Sequence, residues 1–283
     1  MVDLLSGMPQ TAAAPDLLHP AGLSALAGRI ERAQAAQNAS IGGDGAMPLA
    51  GGVVVFAGPG SPLTQAVALG IGVAVSPEEL DRAERHMGQA PGPMQIETCP
   101  FTDPGLLVLL ARRGYRVAEF QQVLARRIPG PGWQRPDGVE VRPIRGDEGQ
   151  TFVRLVCAAF LNGAEPTEEQ LGWMMPTTRA PGTTCIVALI EGVPVGAATV
   201  AVSSGVATLS GAGVLPEYRR RGVQSALISA RMEAGSAAGC DIASSSTWTG
   251  TTSQRNLERL GFRIAYPKVV LVRDAPEANP AAV

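Results

Sequence analysis

Aromatic residues, histidine and unbalanced charge are all scarce in this chain of 283 residues. Only 4% of it is aromatic and two positions are histidine. Lysine plus arginine number 23 against 25 acidic residues, a formal net charge of −2, so no overall basic field exists to attract nucleic acid. The four cysteines, Cys99, Cys157, Cys185 and Cys240, stand far apart with no Cys-x-x-Cys pair, which argues against a disulfide framework or a thiolate metal site. No apolar stretch free of glycine and proline breaks approaches the roughly 18 residues of a membrane span. An early Asp3 and the lack of a basic-then-apolar leader make a soluble, cytoplasmic protein the expectation. His19, in the N-terminal segment, and His86, on a helix of the first half, are expected as ordinary surface residues.

What is present is aliphatic and small. Hydrophobic residues make up 45% of the chain, with 34 glycines and 23 prolines beside abundant alanine, a composition suggestive of a GC-rich bacterial genome. The length is comfortable for two domains. The organising stretch is Val214-Leu215-Pro216-Glu217-Tyr218-Arg219-Arg220-Arg221-Gly222-Val223-Gln224-Ser225-Ala226-Leu227. The run Ala207 to Val214 reads as a strand, stopped by Pro216. Helical spacing then begins at Val223, Ala226, Leu227, Ala230 and Ala234. A strand that turns through arginines and a glycine into a helix is suited to hold phosphate. The first amides of a helix lack internal acceptors, and its dipole makes them partly positive. Ala57-Gly58-Pro59-Gly60-Ser61 lacks the Lys-Ser/Thr of a nucleotide loop and reads as a plain turn.

The stretch at 214–227 resembles the acyl-CoA-binding motif of the GNAT acetyltransferase superfamily, Arg/Gln-x-x-Gly-x-Gly/Ala. Arg219 and Gly222 match, while Gln224 stands where the family has Gly or Ala. Ser253-Gln254-Arg255-Asn256-Leu257-Glu258-Arg259-Leu260-Gly261-Phe262 is similar to the family's last helix, in which an Asn often meets the cofactor. Between them the motifs sit in an element order that matches the family over nearly all of 139–273: strand, two helices, a three-strand meander, motif helix, strand, helix, hairpin. The strands expected are Val139–Ile144, Cys185–Glu191, Val195–Val202, Ala207–Val214, Asp241–Thr247, Phe262–Ala265 and Val269–Arg273.

The first half echoes the second. Leu110-Ala111-Arg112-Arg113-Gly114-Tyr115-Arg116-Val117-Ala118 matches Leu257-Glu258-Arg259-Leu260-Gly261-Phe262-Arg263-Ile264-Ala265, and Val123–Arg126 matches Val270–Arg273, at the constant spacing that separates Gly114 from Gly261. The expectation is an α/β (α+β) protein with two GNAT-like folds in tandem: 1–128, a linker at 129–138 dense in Pro and Gly, 139–275, and a tail at 276–283. In the first half, a helix near Leu23–Gln37, strands at Gly52–Ala57, Gln65–Val75 and Met94–Thr98, a Ser76/Glu79 capping box and a helix opened by Asp103-Pro104 are read from spacing, as is a Thr167/Gln170 box opening a helix of the second half. At the repeat spacing Arg219–Gln224 fall on Gly72–Pro77, where no arginine stands. The first copy is therefore expected to lack the cofactor loop.

The resemblance implies an N-acetyltransferase that moves an acetyl group from acetyl-CoA to the amine of a small molecule. Ala212, Gly213 and Val214 would pair with the pantetheine arm. Arg219, Arg220, Arg221, Gly222, Val223, Gln224 and Ser225 would surround the diphosphate, with Asn256 nearby and Arg219 or Arg221 reaching the adenosine phosphate. The acid–base residues do not carry over. Leu257 occupies the position of the family's frequent tyrosine, and the strand before Val214 holds no carboxylate, with only Thr208 and Ser210 polar. Tyr266 is the remaining candidate general acid, beside a packing role. No metal, membrane or nucleic-acid partner is expected. A non-catalytic acyl-CoA-binding protein and an interaction protein are the alternatives.

Overall fold

The computed structural model describes residues 18–130 and 136–274. The elements in chain order are α1 (Pro20–Gly42), β1 (Ala46–Leu49), β2 (Gly52–Val55), β3 (Gln65–Val67), α2 (Pro77–Met87), β4 (Met94–Thr98), α3 (Pro104–Arg112) and β5 (Arg116–Arg127). They continue with β6 (Glu140–Pro143), α4 (Gly149–Phe160), α5 (Glu168–Met174), β7 (Thr183–Ile190), β8 (Val193–Ser203), β9 (Val206–Val214), α6 (Val223–Ala237), β10 (Ile242–Trp248), α7 (Thr252–Arg259) and β11 (Arg263–Arg273).

The capping boxes expected from spacing are present. Ser76 accepts from the Glu79 amide while Glu79 accepts from the Ser76 amide, and Thr167 and Gln170 do the same at α5. Asp103 caps α3 through the Gly105 amide.

The eleven strands among the described residues join one sheet, in the order β1-β2-β3-β4-β11-β5-β10-β9-β8-β7-β6. This order contains a strand exchange. β5, which follows the last helix of the first half, pairs with β10 of the second, and β11, which follows the last helix of the second half, pairs with β4 of the first. The two exchanged strands lie antiparallel at the centre of the sheet and pair with each other from Arg263↔Ala125 to Val272↔Arg116. The spacing of the sequence repeat carries the starts of β4, α3, β5 and α2 onto the starts of β10, α7, β11 and α6 to within a residue.

Side-chain alternation sorts the helices into two layers. Leu26, Ala27, Ile30 and Ala33 of α1 meet Val123, Ala125, Val206, Ile242 and Tyr266 on one face, the face that α4 and α5 also cover. On the other face Leu124 and Leu209 meet α6 and α7 through Ile228, Met232 and Leu257. There α2 and α3 bury Leu80, Met87, Leu106 and Leu110 on Val54, Ile96 and the partly buried Leu271. The four cysteines are buried free thiols.

Several local expectations are corrected. The strand expected at Gln65–Val75 stops at Val67, because the chain turns through left-handed Ala68, Gly70 and Gly72. The hairpin expected after Gly261 is one strand, β11, which passes an irregularity between Ile264 and Tyr266 without reversing. β1 was not foreseen; Pro48, which cannot donate to a ladder, sits within it, and β1 lies at one edge of the sheet. His86 is half-buried rather than an open surface residue, with its Nε2 2.7 Å from the Gly45 carbonyl oxygen. Of the expected linker, residues 131–135 lie outside the described residues, as does the tail after Asp274.

Candidate functional site

β9 and β10 run parallel, but their pairing ends early. Only Val206, Ala207 and Thr208 are matched, by Ile242, Ala243 and Ser244. Beyond that point the strands splay, and a cleft of about 1130 Å³ opens between the end of β9, the start of α6, the end of β10 and α7. On its other edge β9 is also irregular. Ser210 faces Thr199 and Gly213 faces Ala197, which leaves two residues of β9 opposite one of β8, and the first of them, Gly211, has φ +55°. Gly211 and Ala212 therefore line the cleft with no ladder partner.

Past Val214 the chain takes a short 3-10 turn at Pro216–Tyr218 and reaches α6 through two left-handed residues, Arg220 (φ +64°) and Gly222 (φ +80°). Left-handed residues alternating with others turn successive amides toward one concavity, a nest suited to anions. The first amide of this segment bonded within the helix is that of Ala226, which donates to Gly222 O. The amides of Arg220 to Ser225 donate to no acceptor among the described residues. The equivalent turn of the first half is closed. Ser76 and Glu79 box the start of α2, Glu78 adds a further acidic residue to its first turn, and the Val75 amide donates to Asp103. An anion would meet acidic side chains there, and the positions that match Arg219–Arg221 are Gly72, Val73 and Ala74.

The expected site residues are brought together with two exceptions. Ala212, Gly213, Val214, Arg219, Arg220, Gly222, Val223, Gln224, Ser225 and Asn256 all line the cleft. Arg221 turns outward over the Tyr218 ring, 5.6 Å from its centroid. Arg219 spends its guanidinium on the protein, donating to Val214 O, Asn162 Oδ1 and Ala159 O, and so holds the end of β9 to α4 and the loop after it. Arg220 makes no hydrogen bond among the described residues and keeps its charge for the cleft. The Gln224 side chain, at the position where the family pattern has a small residue, is drawn aside by Ser253 Oγ and Asn256 Nδ2 of α7.

Tyr266 is the second exception and a correction. It is 3% exposed in the layer under α1, stacks edge-on against Phe101 and donates to Glu31 Oε1 at 2.8 Å. Burial and the neighbouring Glu31 push its pKa far upward, and it does not reach the cleft, so it serves the core and not proton transfer.

The same network holds Lys268, fully buried, whose Nζ lies 3.1 Å from Glu31 Oε2, 2.9 Å from Glu97 Oε2 and 2.6 Å from Gln34 Oε1. Desolvation pulls down the pKa of this ammonium, but attraction to Glu31 and Glu97 outweighs it and the net shift is upward.

Among the described residues the cleft lining contains arginines and many hydroxyls, Ser210, Ser245, Ser246, Thr247, Thr251 and Ser253, but no acidic side chain. Sequence reasoning passed over Arg231, which lines the cleft from the third turn of α6. The available signal was its register: it follows Val223 and Leu227 at successive steps of four, on the buried stripe of the helix.

Comparison with known proteins adds three findings. Residues 150–262 match the model of the Acetyltransferase (GNAT) family. Among solved structures, the chain is similar to a GCN5-related N-acetyltransferase from Kribbella flavida, with a TM-score of 0.58, 22% identity and coverage of 87% of this chain and 97% of that one. It is also similar to a tandem GNAT protein from the clavulanic acid biosynthesis pathway (TM-score 0.56, 15% identity, 82% of each chain). A third likeness is to a GCN5-related N-acetyltransferase from Sphaerobacter thermophilus (TM-score 0.53, 17% identity, 75% of this chain and 72% of that one). The sequence matches no curated protein.

Proposed function

We propose that the second half, whose residues 150–262 match the GNAT acetyltransferase family model, binds acetyl-CoA in the β9–β10 cleft and transfers its acetyl group to the amine of a small molecule. The first half, with its capped and acidic turn, is a degenerate copy that completes the sheet. The observation that carries this reading is the run of unbonded amides from Arg220 to Ser225 opening on a cleft with no acidic wall.

The diphosphate would sit in that run, against the positive end of the α6 dipole and beside the free Arg220 guanidinium. The pantetheine arm would return along β9, pairing with Val214, Gly213 and Ala212 as an added strand, and so bring the thioester to Gly211 and Ser210. The acceptor nitrogen attacks the carbonyl carbon as a neutral amine. A C–N bond forms, the C–S bond breaks, and the sulfur leaves with the electron pair. The amides at Gly211 and Ala212, which no ladder uses, are placed to meet the developing oxyanion.

Among the described residues the cleft lining holds no carboxylate, and its one tyrosine, Tyr218, stands in the turn beyond β9 at the phosphate end, so the proton lost by the amine goes to water. A thiol with a pKa of about 8.5 departs as thiolate without a dedicated acid. Rate enhancement then rests on positioning and on the amides. Chains of this fold that only bind acyl-CoA would share the cleft, and turnover separates the two. Calorimetry with acetyl-CoA should give saturable binding, and free thiol should appear when an amine panel is added. Absence of heat and of any thermal shift with acetyl-CoA refutes the reading; binding without thiol release across the panel leaves a binding protein.

A further inference from the structure

Arg231 is 2% exposed, yet no carboxylate among the described residues pairs with it. Its hydrogen bonds go to carbonyl oxygens: Leu227 at 3.1 Å from Nε, and Thr199 and Ser210 at 3.4 Å each from Nη1. Only desolvation perturbs it, lowering its pKa to about 9, which reflects how little nearby charge offsets its burial. Three neutral acceptors, two of them long, are weak compensation for a buried cation.

Its place in the cleft is specific. Arg231 lies eight residues beyond Val223, about 12 Å along the helix, away from the phosphate turn and beside the apex of the splay. At that apex Ser245 Oγ donates to Leu209 O, and Thr199 Oγ1 donates to Ser210 O. A pantetheine arm descending β9 from Val214 ends here with its acyl group. Neither the arm nor an acetyl group carries charge, so acetyl-CoA offers nothing to this guanidinium.

From these observations we propose that Arg231 binds a carboxylate at the far end of the acyl group, and that the preferred donor is a carboxyacyl-CoA, the CoA thioester of a short dicarboxylic acid. This deepens the proposed function and rests on the same cleft: the bonds formed and broken are those given above, and only the transferred group changes. A carboxylate on the acceptor amine would offer the same chemistry from the other side, and the test separates the two.

Calorimetry would compare CoA, acetyl-CoA and succinyl-CoA on the full chain, for the wild type, Arg231→Met and Arg231→Lys. The expected result is succinyl-CoA at least tenfold tighter than acetyl-CoA in the wild type, a ratio near one in Arg231→Met, and an intermediate ratio in Arg231→Lys. Equal wild-type affinities for the two thioesters overturn the proposal, and that comparison needs no variant to fold. So does an Arg231→Met ratio that stays at the wild-type value, which would leave Arg231 a brace for the β8–β9 irregularity. A thiol-release series with acetyl-CoA would set amino-acid acceptors against their amides. A preference for the free carboxylate that disappears in Arg231→Met, with no discrimination between the thioesters, assigns the anion to the acceptor and also overturns it. If the wild type binds none of the three, CoA included, the failure is that of the cleft itself and both readings fall.

Discussion

Replacing Lys268 with methionine tests how the two halves hold each other. Lys268 sits on β11, in the second half of the sequence, while Glu97 is on β4 and Glu31 and Gln34 are on α1, in the first. Only because the strands are exchanged does one ammonium meet both carboxylates. Methionine fills similar volume but leaves Glu31 and Glu97 facing each other with no cation, and breaking a buried pair in this way costs about 3–5 kcal/mol. Total stability is commonly about 5–15 kcal/mol, so the variant should remain folded but marginal. For a chain of this size, 4 kcal/mol corresponds to a midpoint lower by roughly 8–16 °C. Adding Glu97→Gln should recover part of the loss, since one buried charge is then gone.

The wild type has a pH signature of known sign. The folded-state pKa of Lys268 is raised above 10.5, so its stabilisation is complete below 10.5 and fades as pH climbs through the higher folded value. Urea unfolding at neutral pH, compared across the wild type, the single variant and the double variant, provides the measurement. A loss under about 1 kcal/mol in Lys268→Met, or no recovery in the double variant, would refute the reasoning, because a buried pair with a lost partner costs more than that.

Other outcomes follow from the same geometry. In Gly222→Ala, a Cβ at φ +80° would stand 2.9 Å from Pro136 Cβ and Cγ. Strain of about 1–2 kcal/mol is expected, seen as a small fall in melting temperature. With one charge-assisted bond lost from the phosphate turn, worth about 1.5–3 kcal/mol, CoA should bind at least tenfold more weakly by calorimetry; an unchanged Kd would show the site to be elsewhere. Residues 139–283 expressed alone should fail to give a compact monomer by size exclusion and circular dichroism, because β10 then lacks β5 and the buried Val123, Leu124 and Ala125 are missing. Coexpression with residues 1–138 should restore it, and a folded isolated half would contradict the exchange.

Local structure was legible wherever a local rule governs it. The boxes at Ser76 and Thr167, the start of α3 at Asp103-Pro104 and the turn from β9 into α6 could be read because each depends on neighbours within a few residues. The repeat was legible as well, since like elements recur at a fixed spacing. The exchange of β5 and β11 was not. Two similar strands fit either neighbour by pattern, and the choice depends on pairings more than 100 residues apart. That blindness explains Tyr266: counted from its motif it looked close to the cleft, but its strand belongs beside β4 and under α1. Arg231 was missed because an arginine within an alanine-rich helix reads as a solvated charge unless its register is checked.

The central claim is that the amides from Arg220 to Ser225 receive a diphosphate. The most direct measurement is an amide-resolved NMR titration of the labelled protein with CoA. The account predicts that the largest shifts fall on Arg220–Ser225 and on Gly211–Val214, with those around Ser76–Glu79 unmoved. Saturation of the protein with CoA while the 220–225 amides stay in place would contradict it.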